Sequence, residues 1–203
     1  MPTDLKQPSD DADDDDRPGL RYAYKASLIG SAHLFELTDK GLSWKISGRS
    51  GVWSYRDIAS VNLSFRPTSM QAHRFRADIR HKDGGRIRIA STNWQTVSLM
   101  TPQDTGYRAF IEGLHARMAA AGSKATLTGG LPKGIYAAAL VFVGLLAVAM
   151  VGLFVRAVMT GEHAGALFLV AFALLFNWQI GGFVRRNRPI TYAVDHVPEA
   201  LLP

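Results

Sequence analysis

The chain has 203 residues, enough for one ordinary domain plus a modest extension, and its 23 Lys and Arg against 17 Asp and Glu give a formal net charge of +6. It contains no cysteine, which excludes disulfides, thiolate metal sites and a cysteine nucleophile and fits a reducing compartment. The 47% of hydrophobic residues are concentrated in two long uncharged runs, which argues for a membrane protein over a buried hairpin in a soluble one.

In chain order, residues 1–19, "MPTDLKQPSDDADDDDRPG", hold seven Asp against Lys6 and Arg17 and offer almost nothing to bury, so a disordered acidic tail is expected. This stretch has no apolar core of a signal peptide, and the domain after it is expected to stay in the cytoplasm. From Arg21 the hydrophobic period becomes two. "YAYKASL" places Tyr22, Tyr24, Ala26 and Leu28 on one face, and "LFEL", "LSWKI" and "VWSY" are short strands separated by the turn sequences "TDKG" and "SGRSG". "DIASVNLSF" alternates with Val61, Leu63 and Phe65 inward, and "TNWQTVSL" either prolongs the sheet or forms a loop.

The period then switches to 3.6. Thr101 as N-cap and Pro102 at the first helical position open a helix whose Tyr107, Phe110, Ile111, Leu114 and Met118 form one apolar stripe, and Gly122 closes it as a left-handed cap. Residues 20–122 are thus a β-rich domain with a C-terminal helix, and 123–134 are a linker. The uncharged runs 135–155 and 164–184 each span about 31 Å as helices, the thickness of a bilayer core. Residues 156–163 between them suffice only to turn, and 185–203 form a tail. Lys124, Lys133, Arg185, Arg186 and Arg188 flank the pair, whereas the connection holds Arg156 alone beside Glu162. The positive-inside rule therefore puts both termini in the cytoplasm of a two-span protein of the inner membrane, with a short periplasmic loop.

The fold class expected is α+β: about seven strands in a small antiparallel barrel or sandwich, capped by a helix and followed by a two-helix transmembrane hairpin. "FELTDKGLSW" (Phe35–Trp44), "YRDIASVNLSF" (Tyr55–Phe65) and the helix from Pro102 to Ala121 resemble the bacterial pleckstrin-homology-like (PH-like) domains of small membrane proteins. The resemblance covers about half the chain and rests on pattern. It departs from an arrangement common in such proteins, in which the spans precede the domain. It implies a scaffold for binding at membranes and transfers no catalytic residue.

The stretch most suggestive of function is "RFRADIRHKDGGRIRIA" (Arg74–Ala90). A three-residue loop Asp83-Gly84-Gly85 pairs Lys82 with Arg86, Arg80 with Arg88 and Ile79 with Ile89, as in a type I turn with a G1 bulge. Phe75, Ala77, Ile79, Ile87 and Ile89 then face the core. Arg74, Arg76, Arg80, Lys82, Arg86 and Arg88 share the other face, interrupted by Asp78. Opposed like charges repel, and an anion would relieve them: a lipid headgroup, an acidic protein, or the chain's own Asp10–Asp16. Long arginine side chains can also splay apart and stay solvated.

Nucleic acid fits less well, because Phe75 points inward and Trp44, Trp53 and Trp94 read as packing residues instead of a stacking platform. No enzyme, metal or cofactor is expected: the six His are scattered, and Glu112 with His115 make two ligands at most. In the spans, a small-residue stripe through Ala137, Gly144, Val148 and Gly152 is expected to pack against Ala166, Ala173, Asn177 and Gly181, with Asn177 hydrogen-bonding across the seam. Two functions follow as expectations. One is a non-enzymatic module binding anionic lipid headgroups or a membrane-associated acidic protein; the other is an accessory subunit assembled through its hairpin. Oligomeric state is not legible.

Overall fold

The computed structural model describes residues 19–203 apart from Leu28, Met70, Val97 and Ser98. The acidic stretch 1–18 and the expected inward position of Leu28 lie outside the described residues. The first sheet is an antiparallel meander of four strands, β1 (Leu20–Tyr24), β2 (His33–Thr38), β3 (Gly41–Ile46) and β4 (Arg49–Trp53). Its β3–β4 turn places Ser47 at φ 43° and Gly48 at φ 78°. Two consecutive left-handed residues make the tight hairpin whose twist suits the flanking strands.

A 3-10 turn at Tyr55–Asp57 leads into β5 (Ile58–Phe65), followed by β6 (Phe75–His81) and β7 (Arg86–Ala90). The segments β8 (Thr92–Thr96) and β9 (Leu99–Pro102), left between sheet and loop by the sequence, form a separate two-stranded hairpin. The helix α1 (Asp104–Ala120) buries Tyr107, Phe110, Ile111, Leu114 and Met118, the expected stripe, and also His115. Its start differs from expectation: Pro102 closes β9 and Gln103 occupies the N-cap position, so Thr101 caps nothing. Its end is as expected. Gly122 at φ 66° donates to the Ala119 carbonyl and Ser123 to that of Met118, the double bond of a Schellman cap.

Residues 123–134 and 185–203, expected as linker and tail, both supply strands. The second sheet has five strands in the order β11-β10-β5-β6-β7. Here β10 (Thr126–Gly129) runs parallel to β5, and β11 (Ile190–Thr191) runs antiparallel to β10. Between them in sequence lie the two long apolar helices, α2 (Lys133–Met159) and α3 (His163–Arg186). Both ends of the helical hairpin therefore meet at one sheet.

The junction is tight. Gly130 sits at φ 80° where an added Cβ would strike the carbonyls of Asn187 and Arg188, and Leu131 donates to the Asn187 carbonyl at 3.0 Å. Past β11 the chain folds back onto the domain, burying Leu201 and Leu202 in the same core as Val61, Leu63 and Leu127. Gly129 has no Cβ to collide with Leu201, and Arg108 Nε holds the Pro203 carbonyl oxygen at 3.0 Å.

One apolar core fills the space between the two sheets and under α1. The fold is thus α+β, with β-sheets first and the long apolar helices after them, and neither sheet is closed on itself. The two helices, of 27 and 24 residues, are long and apolar enough to cross a membrane. They expose Phe142 at 68%, Leu145 at 66%, Val148 at 71% and Leu167 at 71%, a surface water would not tolerate uncovered. Their connection shrinks to Thr160–Glu162, where Gly161 at φ 77° makes a second Schellman cap with bonds to Val158 and Ala157.

The half-buried faces of the two helices do not follow the expected small-residue seam, of which only Ala166 is buried. Ala173, Asn177 and Gly181 are exposed and border an open groove whose other wall includes Val143, Ala147 and Met150 of α2. A Cβ at Gly144 or Gly152 would find nothing within 4 Å. The half-buried residues of α2, Tyr136, Ala139, Val143, Leu146 and Met150, recur at spacings of three and four, the period of two helices packed at a shallow angle. The small-residue stripe lies about one residue, roughly 100° of rotation, around from that face. Asn177 makes no hydrogen bond across the groove among the described residues.

Candidate functional site

The arginine hairpin has the expected kind of turn one residue earlier than expected. Gly84 takes the left-handed position at φ 85° and donates to the His81 carbonyl, while His81 donates to that of Gly85. The loop is therefore Lys82-Asp83-Gly84. Gly85 belongs to the strand side, where a Cβ would press into the Trp53 indole. In the resulting register Arg80 faces Arg86, Ile79 faces Ile87, Asp78 faces Arg88 and Ala77 faces Ile89. The shift is even, so each side chain keeps its predicted face. Phe75, Ala77, Ile79, Ile87 and Ile89 are all buried.

On the outer face, the register makes Asp78 the hub. Its side chain is only 7% exposed and receives three guanidinium groups: Arg76 Nη2 at 2.8 Å, Arg86 Nη2 at 2.8 Å and Arg88 Nε at 3.2 Å. The repulsion expected between opposed arginines is thus offset in part from within the chain. The remaining predicted cations separate. Arg74 is half-buried and donates to the Thr92 hydroxyl at 3.2 Å. Lys82 turns away to Asp57 at 3.2 Å. Arg80 is exposed and has no ion-pair partner among the described residues.

The hairpin forms one wall of a larger site. β6 pairs with β5 so that Ser60 lies opposite Arg80, Asn62 opposite Asp78 and Ser64 opposite Arg76. Beyond β5, Thr128 of β10 lies beside Asn62. Of these, Ser60, Asn62, Arg76, Asp78, Arg80 and Thr128 floor a concavity of about 330 Å³ that also takes in Arg66, Pro132 and Lys133, so it reaches from the arginine hairpin to the first turn of α2, whereas Ser64 is fully buried. Five cations (Arg66, Arg76, Arg80, Arg86 and Lys133) line it with a single carboxylate, Asp78. Burial, and next the charge of Arg76, lower the pKa of the Arg66 guanidinium, as they do that of Arg74. Asn62 Nδ2 donates to the Thr128 hydroxyl at 3.0 Å, leaving that hydroxyl its own proton to give.

Against protein-family models, curated proteins and solved structures, the chain finds no match.

Arg66 and Lys133 were missed as members of this face. Arg66 had a signal, since Ser60, Asn62 and Ser64 alternate with the inward Val61, Leu63 and Phe65 and must share a face with the arginines of the next strand. Lys133 had none, because β10 pairs in parallel with a strand more than sixty residues earlier. Two of the three tryptophans pack as expected: Trp44 meets Trp53 edge-on at 5.5 Å, and Trp53 meets His81 at 5.1 Å. Glu112 and His115 do not converge. Glu112 is exposed and pairs with Arg108 at 3.6 Å, whereas His115 is buried against Tyr192.

Proposed function

We propose that this is a two-span inner-membrane protein whose basic, PH-like cytoplasmic domain binds an anionic surface through the outer face of its second sheet, without catalysis, and that lipid headgroups are that surface. The observation that carries the proposal is position. The cationic concavity is bounded by residues at the ends of the long apolar helices, Lys133 at the start of α2 and Ile190 after α3. A basic surface beside membrane-spanning helices would face the leaflet at short range, and attraction to an anionic leaflet acts within a Debye length, about 8 Å at physiological salt. Flanking cations, Arg185, Arg186 and Arg188 at the end of α3 and Lys124 before β10, support a cytoplasmic placement of the domain. The order of elements supports the PH-like assignment in part: a four-stranded meander and three antiparallel strands β5–β7 precede a helix, with the β8–β9 hairpin between β7 and that helix.

A single label tests it cleanly, because the chain has no cysteine of its own. The full chain carrying Asp83→Cys, labelled with a fluorophore, is placed in nanodiscs containing a headgroup-quencher lipid. Quenching is expected to rise when phosphatidylglycerol replaces phosphatidylcholine, and to fall at roughly 1 M salt, where the Debye length is about 3 Å. Replacing Arg80, Arg86 and Arg88 by Ser is expected to remove the response. Quenching indifferent to lipid charge would refute lipid docking.

A further inference from the structure

We infer that the concavity between the second sheet and the head of α2 is a discrete site for a phosphomonoester, held by Arg66, Arg76, Arg80, Arg86 and Lys133. It rests on the anionic-surface proposal and narrows it from a charged face to one chemical group.

Three features select that group. The cations approach from different elements: Arg66 follows β5, Arg76 and Arg80 lie on β6, Arg86 on β7, and Lys133 opens α2. A terminal phosphate presents three free oxygens to such a ring, whereas a phosphodiester presents two and carries a substituent on each side. Guanidinium forks match phosphate oxygens in pairs, and Lys133 adds a point charge. Next, Asp78 is already saturated by Arg76, Arg86 and Arg88, while Arg80 and Lys133 are exposed and have no ion-pair partner among the described residues. The cluster keeps an excess of positive charge, which favours the dianion of a monoester over a monoanion. Finally, the lining is graded. Ser60 and Thr128 bring hydroxyls to the cationic side, and Leu131, Pro132 and Ile190 form an apolar side next to the helices. The volume of about 330 Å³ suits a phosphate with a short glycerol-sized substituent, at the small end of ligand sites of roughly 300–1,000 Å³.

The chemistry has two sources, a lipid with a phosphomonoester headgroup and a soluble phosphomonoester, and one experiment separates them. The full chain is reconstituted in nanodiscs containing phosphatidic acid and phosphatidylglycerol in proportions matched for surface charge. The lipids it retains on release into detergent are then counted by native mass spectrometry. Phosphatidic acid is expected to be retained about tenfold over phosphatidylglycerol, and Lys133→Gln or Arg80→Gln to cut that preference at least threefold, the scale of losing one charge-assisted contact. Both side chains are exposed, so unfolding is not expected; unchanged circular dichroism and Tm verify this.

In the second arm, glycerol 3-phosphate and inorganic phosphate compete for the site in detergent. Displacement of phosphatidic acid only at high concentration supports the lipid source. Tight binding of glycerol 3-phosphate without lipid preference supports the site and assigns it a soluble ligand. Equal retention of the two lipids with no binding of either soluble phosphate overturns the site. If the Asp83 label still responds to lipid charge in that case, the broader surface proposal stands; if it does not, both fail together.

Discussion

His115 is 2% exposed and engaged at both ring nitrogens. The Ile111 carbonyl, 2.7 Å from Nδ1, can only accept, so Nδ1 carries the proton and Nε2 accepts from the Tyr192 hydroxyl at 3.1 Å. Burial lowers the pKa of the ring and raises that of the Tyr192 phenol. A histidine whose folded-state pKa lies below its unfolded value contributes stability above about pH 6.5, and that stability is lost as pH falls toward the folded value. Tm is therefore expected to drop between neutral pH and about pH 5. His115→Gln is expected to flatten that slope, as measured by intrinsic fluorescence in detergent. Asp78 gives a prediction of the opposite kind, because stability and binding separate. Asp78→Asn is expected to lower stability by about 1–3 kcal/mol, the low end for a broken buried pair because its arginines are partly exposed. The same change is expected to strengthen the response of the Asp83 label to anionic lipid, since it frees three guanidinium groups. A variant that lost both would show that Asp78 serves only the fold.

At the scale of elements, the domain is not contained in residues 20–122. Leu201 is 1% exposed in its core, β10 and β11 extend its second sheet, and the Arg186 guanidinium lies 4.9 Å over the Phe65 ring. Leu201→Ala is expected to cost about 2–4 kcal/mol, and a fragment ending at residue 122 is expected to show a clearly lower and broader transition than the full chain in urea. Equal stability of fragment and full chain would mean that the late strands are ornament. What the sequence reveals follows the range of the interaction. Most of the strand alternation, the α1 stripe, the Gly122 cap and the two apolar helices depend on neighbours within a few turns and are found, whereas Ala26, expected inward with Tyr22 and Tyr24, lies past the end of β1 and is exposed. The hairpin register was missed by one loop residue because two adjacent glycines compete for the left-handed position, and Trp53, distant in sequence, decides between them. The β5–β10 pairing and the rotation of α2 are set by contacts between distant segments, which periodicity does not encode.

For the whole molecule, the pairing of β10 with β11 fixes a geometric rule: the helices leave one sheet and return to it. If both cross a bilayer, their connection at Thr160–Glu162 must lie on the far side from the domain. With the domain on the cytoplasmic side as proposed, single cysteines at Asp83 and Asp195 are expected to react with an impermeant maleimide only after that side is opened, and one at Glu162 from the periplasmic side in intact cells. Labelling of all three from one side would disprove spanning.

The return of the chain to β10 also bears on biosynthesis. Gly129 leaves the ribosome long before Leu201, and at about 5–20 residues per second the gap is on the order of several seconds. During that interval β10 has no outer partner, Gly129 has no Leu201 to receive, and both apolar helices emerge. The hairpin can therefore enter the bilayer while the domain is still open, and Leu201 and Leu202, made after it, close the core. A chain cut short by a premature stop would expose an unpaired β10 edge and a vacant slot over Leu63 and Leu127, a form suited to removal by proteases.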